Sequence, residues 1–154
     1  MFRSKTFTLT REQLIPKTPV ETFRFFEDAS NLQLITPESL GFKILTPLPI
    51  EMREGTLIDY RIRLRGIPLR WRTRIVEYDP PHRFVDTQLR GPYKLWHHLH
   101  TFQETEDGTL MIDRVDYQLR FGALGTLVHQ LYVANELKKI FDFRREAIGK
   151  YFED

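Results

Sequence analysis

Through most of the middle of the chain, apolar and polar residues alternate with a period of two. Near the C-terminus the period becomes helical. In residues 56–65, Ile58, Tyr60, Ile62 and Leu64 fall on one side, and Asp59, Arg61, Arg63 and Arg65 on the other. Successive side chains of a strand point to opposite faces, so this reads as a half-buried strand. The same pattern, punctuated by Gly, Pro and Asp, predicts strands over 2–14, 42–45, 69–78, 83–90, 93–104 and 109–119. Between the first two, Thr18-Pro19-Val20-Glu21 combines a capping box with Pro at the first helical position. It predicts a short helix through Phe26. Ser30 and Gln33 repeat the signature and predict a second short helix that ends before Pro37. From 123 to 150, Leu124, Leu127, Val128, Leu131, Leu137, Ile140, Phe141 and Ile148 approximate one helical stripe. A helix of that span is about 42 Å long.

The order is therefore strand, two short helices, about six antiparallel strands and one long helix. We expect one α+β domain spanning 1–154, with a curved antiparallel sheet wrapped around the C-terminal helix. A curved sheet and a single helix need not fill the space between them, so an apolar cavity is the first functional hypothesis.

Two hairpins carry the facing argument. Gly66 marks a turn, and pairing Leu64 with Leu69 places Ile62 opposite Trp71, Tyr60 opposite Thr73 and Ile58 opposite Ile75 on a common inner face. In the last hairpin, Trp96, His98, His100 and Phe102 share one face, as do Met111, Asp113, Val115, Tyr117 and Leu119. A turn at Asp107-Gly108 or a longer one at 105–108 gives the same facial match, with Asp113 near His100 directly or diagonally. A buried carboxylate needs a partner, and His100 can supply it, with His98 and Tyr117 completing a polar patch. Such a patch serves as a structural network joining two strands, as a ligand-orienting wall, or as a proton-exchanging His100–Asp113 pair. Asp86 and Gln88 add polarity on the preceding strand, but the Gly91-Pro92 loop allows two parities, so their facing stays open. No metal or cofactor is expected: His98 and His100 supply only two ligands, and His97 falls on the other face.

The outer face of the first hairpin holds Arg61, Arg63 and Arg65 on one strand and Arg70, Arg72 and Arg74 on the other. The register above sets Arg61 opposite Arg72 and Arg63 opposite Arg70, an arrangement that like-charge repulsion disfavours. It suits a solvated face, or an anionic surface or protein partner. The whole chain hides this asymmetry, with 23 Lys and Arg against 21 Asp and Glu, a formal net charge of +2. Nucleic acid is not expected, because neither the charge balance nor any recognisable binding motif points to it. The chain has no Cys, which excludes disulfides and thiolate chemistry. It shows no apolar signal core and no 18-residue apolar run, so a cytoplasmic protein is expected, with room for peripheral membrane association through the arginine face. Nucleotide, metalloprotease and serine-hydrolase motifs are absent. Gly122-Ala123-Leu124-Gly125 reads as the joint between the last strand and the long helix, and Arg144-Arg145 suits the dipole at the helix C-terminus.

The element order, the Gly91-Pro92-Tyr93 turn, Trp96-His97-His98-Leu99-His100-Thr101-Phe102, Gly108-Thr109-Leu110-Met111-Ile112-Asp113 and Val115-Asp116-Tyr117 together resemble the START-like, Bet v 1-like superfamily, often called SRPBCC. The resemblance covers nearly the whole chain and extends to the cyclase/dehydrase-like and carbon-monoxide-dehydrogenase-subunit-like branches. It implies a helix-grip fold with a deep cavity for lipids, sterols, polyketides or other hydrophobic molecules. Fold does not set chemistry, and no functional residue carries over from the family. The expected activity is binding or transport of a small hydrophobic molecule with one polar end. Tyr60, Trp71, Trp96, Phe102 and Tyr117 would provide contact area, and His98 and His100 would orient the polar end. The alternative is a cyclase or dehydratase for an aromatic or polyketide-like substrate, using His100, Asp113 and Tyr117.

Overall fold

The computed structural model describes residues 4–153. Strands β1 (Thr6–Ile15), β2 (Lys43–Ile44), β3 (Leu57–Leu64), β4 (Ile67–Asp79), β5 (Arg83–Arg90), β6 (Leu95–Thr105) and β7 (Gly108–Gln118) form one antiparallel sheet. Its order is β1-β7-β6-β5-β4-β3-β2, so only β1 leaves its chain neighbour to pair across the sheet. The architecture is the expected helix grip. The first two residues of the expected opening strand, Phe2 and Arg3, lie outside the described residues.

Helix α1 (Pro19–Glu27) starts where the capping box places it. Thr18 Oγ1 accepts from Glu21 N at 3.2 Å, and Glu21 Oε2 accepts from Thr18 N at 3.2 Å. The second short helix is a 3₁₀ turn, Ala29–Gln33, and its cap is Asp28 rather than Ser30. The Asp28 carboxylate accepts from both Ser30 N, at 3.0 Å, and Ser30 Oγ, at 2.6 Å. Ser30 thus becomes the donor of the cap, because an ionised carboxylate is the better acceptor.

The β3–β4 register differs from expectation by two residues. Leu64 pairs with Ile67, Ile62 with Leu69, Tyr60 with Trp71 and Ile58 with Thr73. The turn is the two-residue Arg65-Gly66, with φ of 51° and 79°. Such a turn matches the right-handed twist of the strands, whereas the expected wider loop does not have that advantage. A shift of two keeps every side chain on its face. Ile58, Ile62, Trp71, Thr73 and Ile75 are buried, and Arg63, Arg65, Arg70, Arg72 and Arg74 are exposed. The shift changes partners, however. Arg61 faces Arg70 rather than Arg72, and Arg72 donates to Asp59 Oδ1 at 2.8 Å and Oδ2 at 3.2 Å. That ion pair relieves one like-charge clash the expected register would have kept.

The last hairpin turns through Glu106-Asp107, with Thr105 opposite Gly108. Gly108 has φ of 135°, and a Cβ there would stand 2.1 Å from Ile15 O. Only glycine lets β7 start so close to the end of β1. His100 then pairs directly with Asp113, Trp96 with Tyr117, and Phe102 with Met111.

The long helix is not one uniform stripe. It consists of α2 (Gly122–Val128), a π-helical turn at His129–Val133, and α3 (Ala134–Tyr151). Leu137, Phe141 and Ile148 are buried, yet Leu124, Leu127, Val128 and Leu131 are 60, 50, 43 and 76% exposed. Only the C-terminal part packs deeply against the sheet. The wider π turn rotates the helix face by a fraction of a turn, so a stripe counted through it loses phase. None of the described helices is long and apolar enough to cross a membrane.

The core has two apolar clusters. One gathers Phe23, Phe25, Phe26, Phe84, Phe102, Met111 and Ile148. The other holds Ile62, Trp71, Trp96, Val115, Tyr117, Leu137 and Phe141. Along β6 and β7 the inward residues run from one cluster to the other, and His98, His100 and Asp113 lie between them.

Candidate functional site

Between the sheet and α3 lies a cavity of about 200 Å³. Its apolar wall includes Ile58, Tyr60, Ile62, Trp71, Trp96 and Phe141, and its polar lining includes Asp86, His98, His100 and Arg144. Trp71 and Trp96 meet edge to face with centroids 5.4 Å apart, and Trp71 stacks on Tyr60 at 5.7 Å.

Alternation on β6 brings His98 and His100 to the same face, where their rings stack with centroids 3.7 Å apart. His98 Nε2 donates to Asp113 Oδ1 at 2.8 Å. His100 Nε2 donates to Asp86 Oδ2 at 2.6 Å. The remaining nitrogens face the opposite carboxylates: His100 Nδ1 lies 3.2 Å from Asp113 Oδ1, and His98 Nδ1 lies 3.9 Å from Asp86 Oδ2. Phe84 stacks on the other side of His100 at 4.1 Å. Arg144 of α3 points inward, with Nη2 3.8 Å from Asp113 Oδ1 and its guanidinium 5.8 Å from the rings of Phe26 and Phe141.

Electrostatics follow from this packing. Burial alone would raise the Asp113 pKa, but Arg144, the close His100 imidazole and the hydrogen bond from His98 hold the carboxyl well below the usual range. Burial likewise opposes ionisation of Asp86, and the His100 hydrogen bond with the nearby His98 outweighs it. The two imidazoles split. Burial and the neighbouring His100 push the His98 pKa down, while for His100 the two carboxylates overcome burial and push it up. Neighbouring groups driven in opposite directions are a recurring feature of functional sites.

The structure distributes the sequence-derived candidates as follows. Tyr60, Trp71, Trp96, His98 and His100 line the cavity, whereas Phe102 and Tyr117 do not. Phe102 belongs to the aromatic cluster with Phe23, Phe26 and Phe84. The Tyr117 hydroxyl is 2.7 Å from His129 Nε2 on the π turn, away from the His98–His100 pair. Asp113 sits behind the histidines, 2% exposed. Gln88 braces the Gly91-Pro92 turn by accepting from Tyr93 N at 3.1 Å and donating to Tyr93 O at 2.8 Å.

Sequence reasoning leaves one member of the site open and misses another. Asp86 faces inward opposite His98. Its parity is undecidable from the loop alone, and β4 carries register irregularities at Arg72/Thr73 and Ile75/Glu77. Arg144, expected to serve the helix dipole, is the second. The signal that could have found it is its position between Phe141 and Ile148 on the buried face of α3, which points a long cation at the sheet.

No family model matches the chain, and no curated protein matches it in sequence. Solved structures do resemble it. The protein CV1439 from Chromobacterium violaceum superposes with a TM-score of 0.75 at 14% identity, covering 96% of this chain and 97% of that one. TTHA0849 from Thermus thermophilus gives 0.68 at 19% identity, covering 95% and 94%. Ara h 8.0201 gives 0.66 at 16% identity, covering 96% and 98%. At these identities the likeness defines the class of fold, the Bet v 1/START-like helix grip, and leaves its chemistry to the site.

Proposed function

We propose that this protein binds or carries a compact hydrophobic molecule that presents a hydrogen-bond-accepting oxygen. One observation carries the reading: two buried donors that line the cavity, Trp71 Nε1 and Arg144 Nε, have no hydrogen-bond partner. An indole N–H and a guanidinium N–H can only donate, and buried polar groups in folded proteins nearly always find a partner. A carbonyl, hydroxyl or carboxylate oxygen of a ligand would satisfy them, while Tyr60, Ile62 and Trp96 cover its apolar body. The cavity volume, below the roughly 300–1,000 Å³ of common ligand pockets, favours a small ring system over a long-chain lipid.

The test is calorimetric titration with 2-naphthol and naphthalene. The oxygenated probe should bind more tightly, and Trp71→Phe should erase about 0.5–1.5 kcal/mol of that preference. Equal affinity for the two probes in the folded wild type would reject the reading. In the enzymatic alternative, cyclisation or dehydration, Asp113 would orient the imidazoles, and His100, bonded to Asp86, would exchange the proton. Tyr117 contributes to that alternative only if its hydroxyl leaves His129.

The arginine face supports a second, separate reading, recruitment to an anionic surface or protein. What favours it is the direct opposition of Arg61 and Arg70 on the outward side of β3 and β4. Arg70, Arg72 and Arg90 all act on the one Asp59 carboxylate there.

A further inference from the structure

In the polar belt all four ring nitrogens of His98 and His100 face a carboxylate. Asp113 and Asp86 only accept when ionised, so the 2.8 Å and 2.6 Å contacts require His98 and His100 each to donate through Nε2. A neutral imidazole that donates through Nε2 presents a lone pair at Nδ1. The Nδ1 of His98 then faces Asp86 Oδ2 at 3.9 Å, too far for a hydrogen bond. The Nδ1 of His100 is buried without a hydrogen-bond partner, 3.2 Å from Asp113 Oδ1.

A cation can meet three of these donors at one point. One donor atom each from Asp86, His98 and His100 lies within 4.8 Å of the others. We propose that Asp86, His98 and His100 form a binding site for a divalent transition metal, with Asp113 as the residue that orients both imidazoles. His98 would coordinate through Nδ1, His100 through Nε2 and Asp86 through Oδ2. The ring proton of His100 moves to Nδ1 and points to Asp113, which already accepts from His98 Nε2. A carboxylate behind each ligating histidine is the usual support of such centres. Bonds of about 2.0–2.1 Å place the donors of a four-coordinate ion about 3.3 Å apart. The 2.6 Å and 3.9 Å separations therefore need to change by less than about 1 Å, and the widest, up to 4.8 Å, by up to about 1.5 Å. Two imidazoles and one carboxylate suit Zn²⁺ or Fe²⁺, and leave the remaining coordination positions open to the cavity. The site stands on these donors alone, whether or not an apolar ligand enters.

The experiment uses tag-free, chelator-treated protein and Zn²⁺ as the probe. Calorimetry and elemental analysis after desalting should show one equivalent bound. Asp86→Asn and His98→Gln should each weaken binding by at least about 100-fold, and Asp113→Asn by about 10–100-fold. Tyr117→Phe, outside the site, should leave it unchanged. Circular dichroism checks that each variant is folded. A measurement on the wild type alone covers the case where variants do not fold: with Co²⁺ bound, ring resonances of two histidines should show large paramagnetic shifts. Failure of the folded wild type to retain one equivalent of Zn²⁺, retention unaltered in folded Asp86→Asn, or fewer than two shifted histidines would overturn the site. Naphthol titration of the metal-free protein reports on the cavity separately, so either idea can fail without the other.

Discussion

Arg144 of α3 reaches to within 3.8 Å of Asp113 on β7, so the gripping helix and the polar belt of the sheet meet through opposite charges. Asp113 also holds His98, and it is almost wholly inaccessible to water. Removing one member of a buried charged set leaves the others uncompensated. Asp113→Ala should therefore lower unfolding free energy by about 3–5 kcal/mol, and Asp113→Asn by less, because an amide still accepts one hydrogen bond. Urea denaturation measures both. A loss for Asp113→Ala no larger than that of an exposed substitution would show that the belt does not depend on its charge.

Much of this belt is legible from alternation. The facing of Trp96, His98, His100 and Phe102 follows from a period of two, and a single turn choice then brings Asp113 to His100. Registers are less legible, because a period of two is blind to a slip of two. That is why alternation alone pairs Trp71 with Ile62 rather than Tyr60. Deciding between the registers needs the backbone of Arg65-Gly66, where both φ angles are positive. Strand irregularity obscures Asp86, and the preference of terminal cations for the helix dipole obscures Arg144. The exposed apolar residues of α2 are hidden by the π turn, which no composition rule announces.

Gly108 gives a sharper test of the hairpin that positions Asp113. Gly108→Ala would place a methyl group against Ile15 O and force an L-residue to φ of 135°. Strain of this kind costs on the order of 1–3 kcal/mol, and the backbone clash adds to it. The variant should unfold at lower temperature than wild type by several degrees, and an unchanged melting temperature would place the β1–β7 approach elsewhere.

The Tyr117–His129 contact predicts a pH response. Burial, then Lys5, pushes the His129 pKa below its ordinary value. The unfolded chain then takes up a proton at a pH where the folded chain resists it. Stability from this group is present above the ordinary histidine pKa of about 6.5 and is lost as pH falls through the lower folded value. Denaturation at pH 7.5 and at pH 5.5 should show wild type losing more stability than His129→Gln. An identical pH slope in the two proteins would refute it.

The outer arginine face is testable without touching the cavity. If it recruits anionic surfaces, Arg70→Gln combined with Arg63→Gln should weaken sedimentation with phosphatidylserine vesicles at low salt. The difference should vanish as salt shortens the screening length below about 10 Å. Vesicle binding equal to wild type at low salt would leave the face as a solvated surface.

Whether the cavity takes up an oxygenated ring is decided by calorimetric titration of 2-naphthol into wild type and into Ile62→Trp, whose larger side chain fills the space beside Trp71 and Trp96. The wild type should bind one equivalent, and a folded Ile62→Trp protein should bind none. No binding to the wild type, or the same affinity in the filled variant, would contradict a ligand-binding cavity.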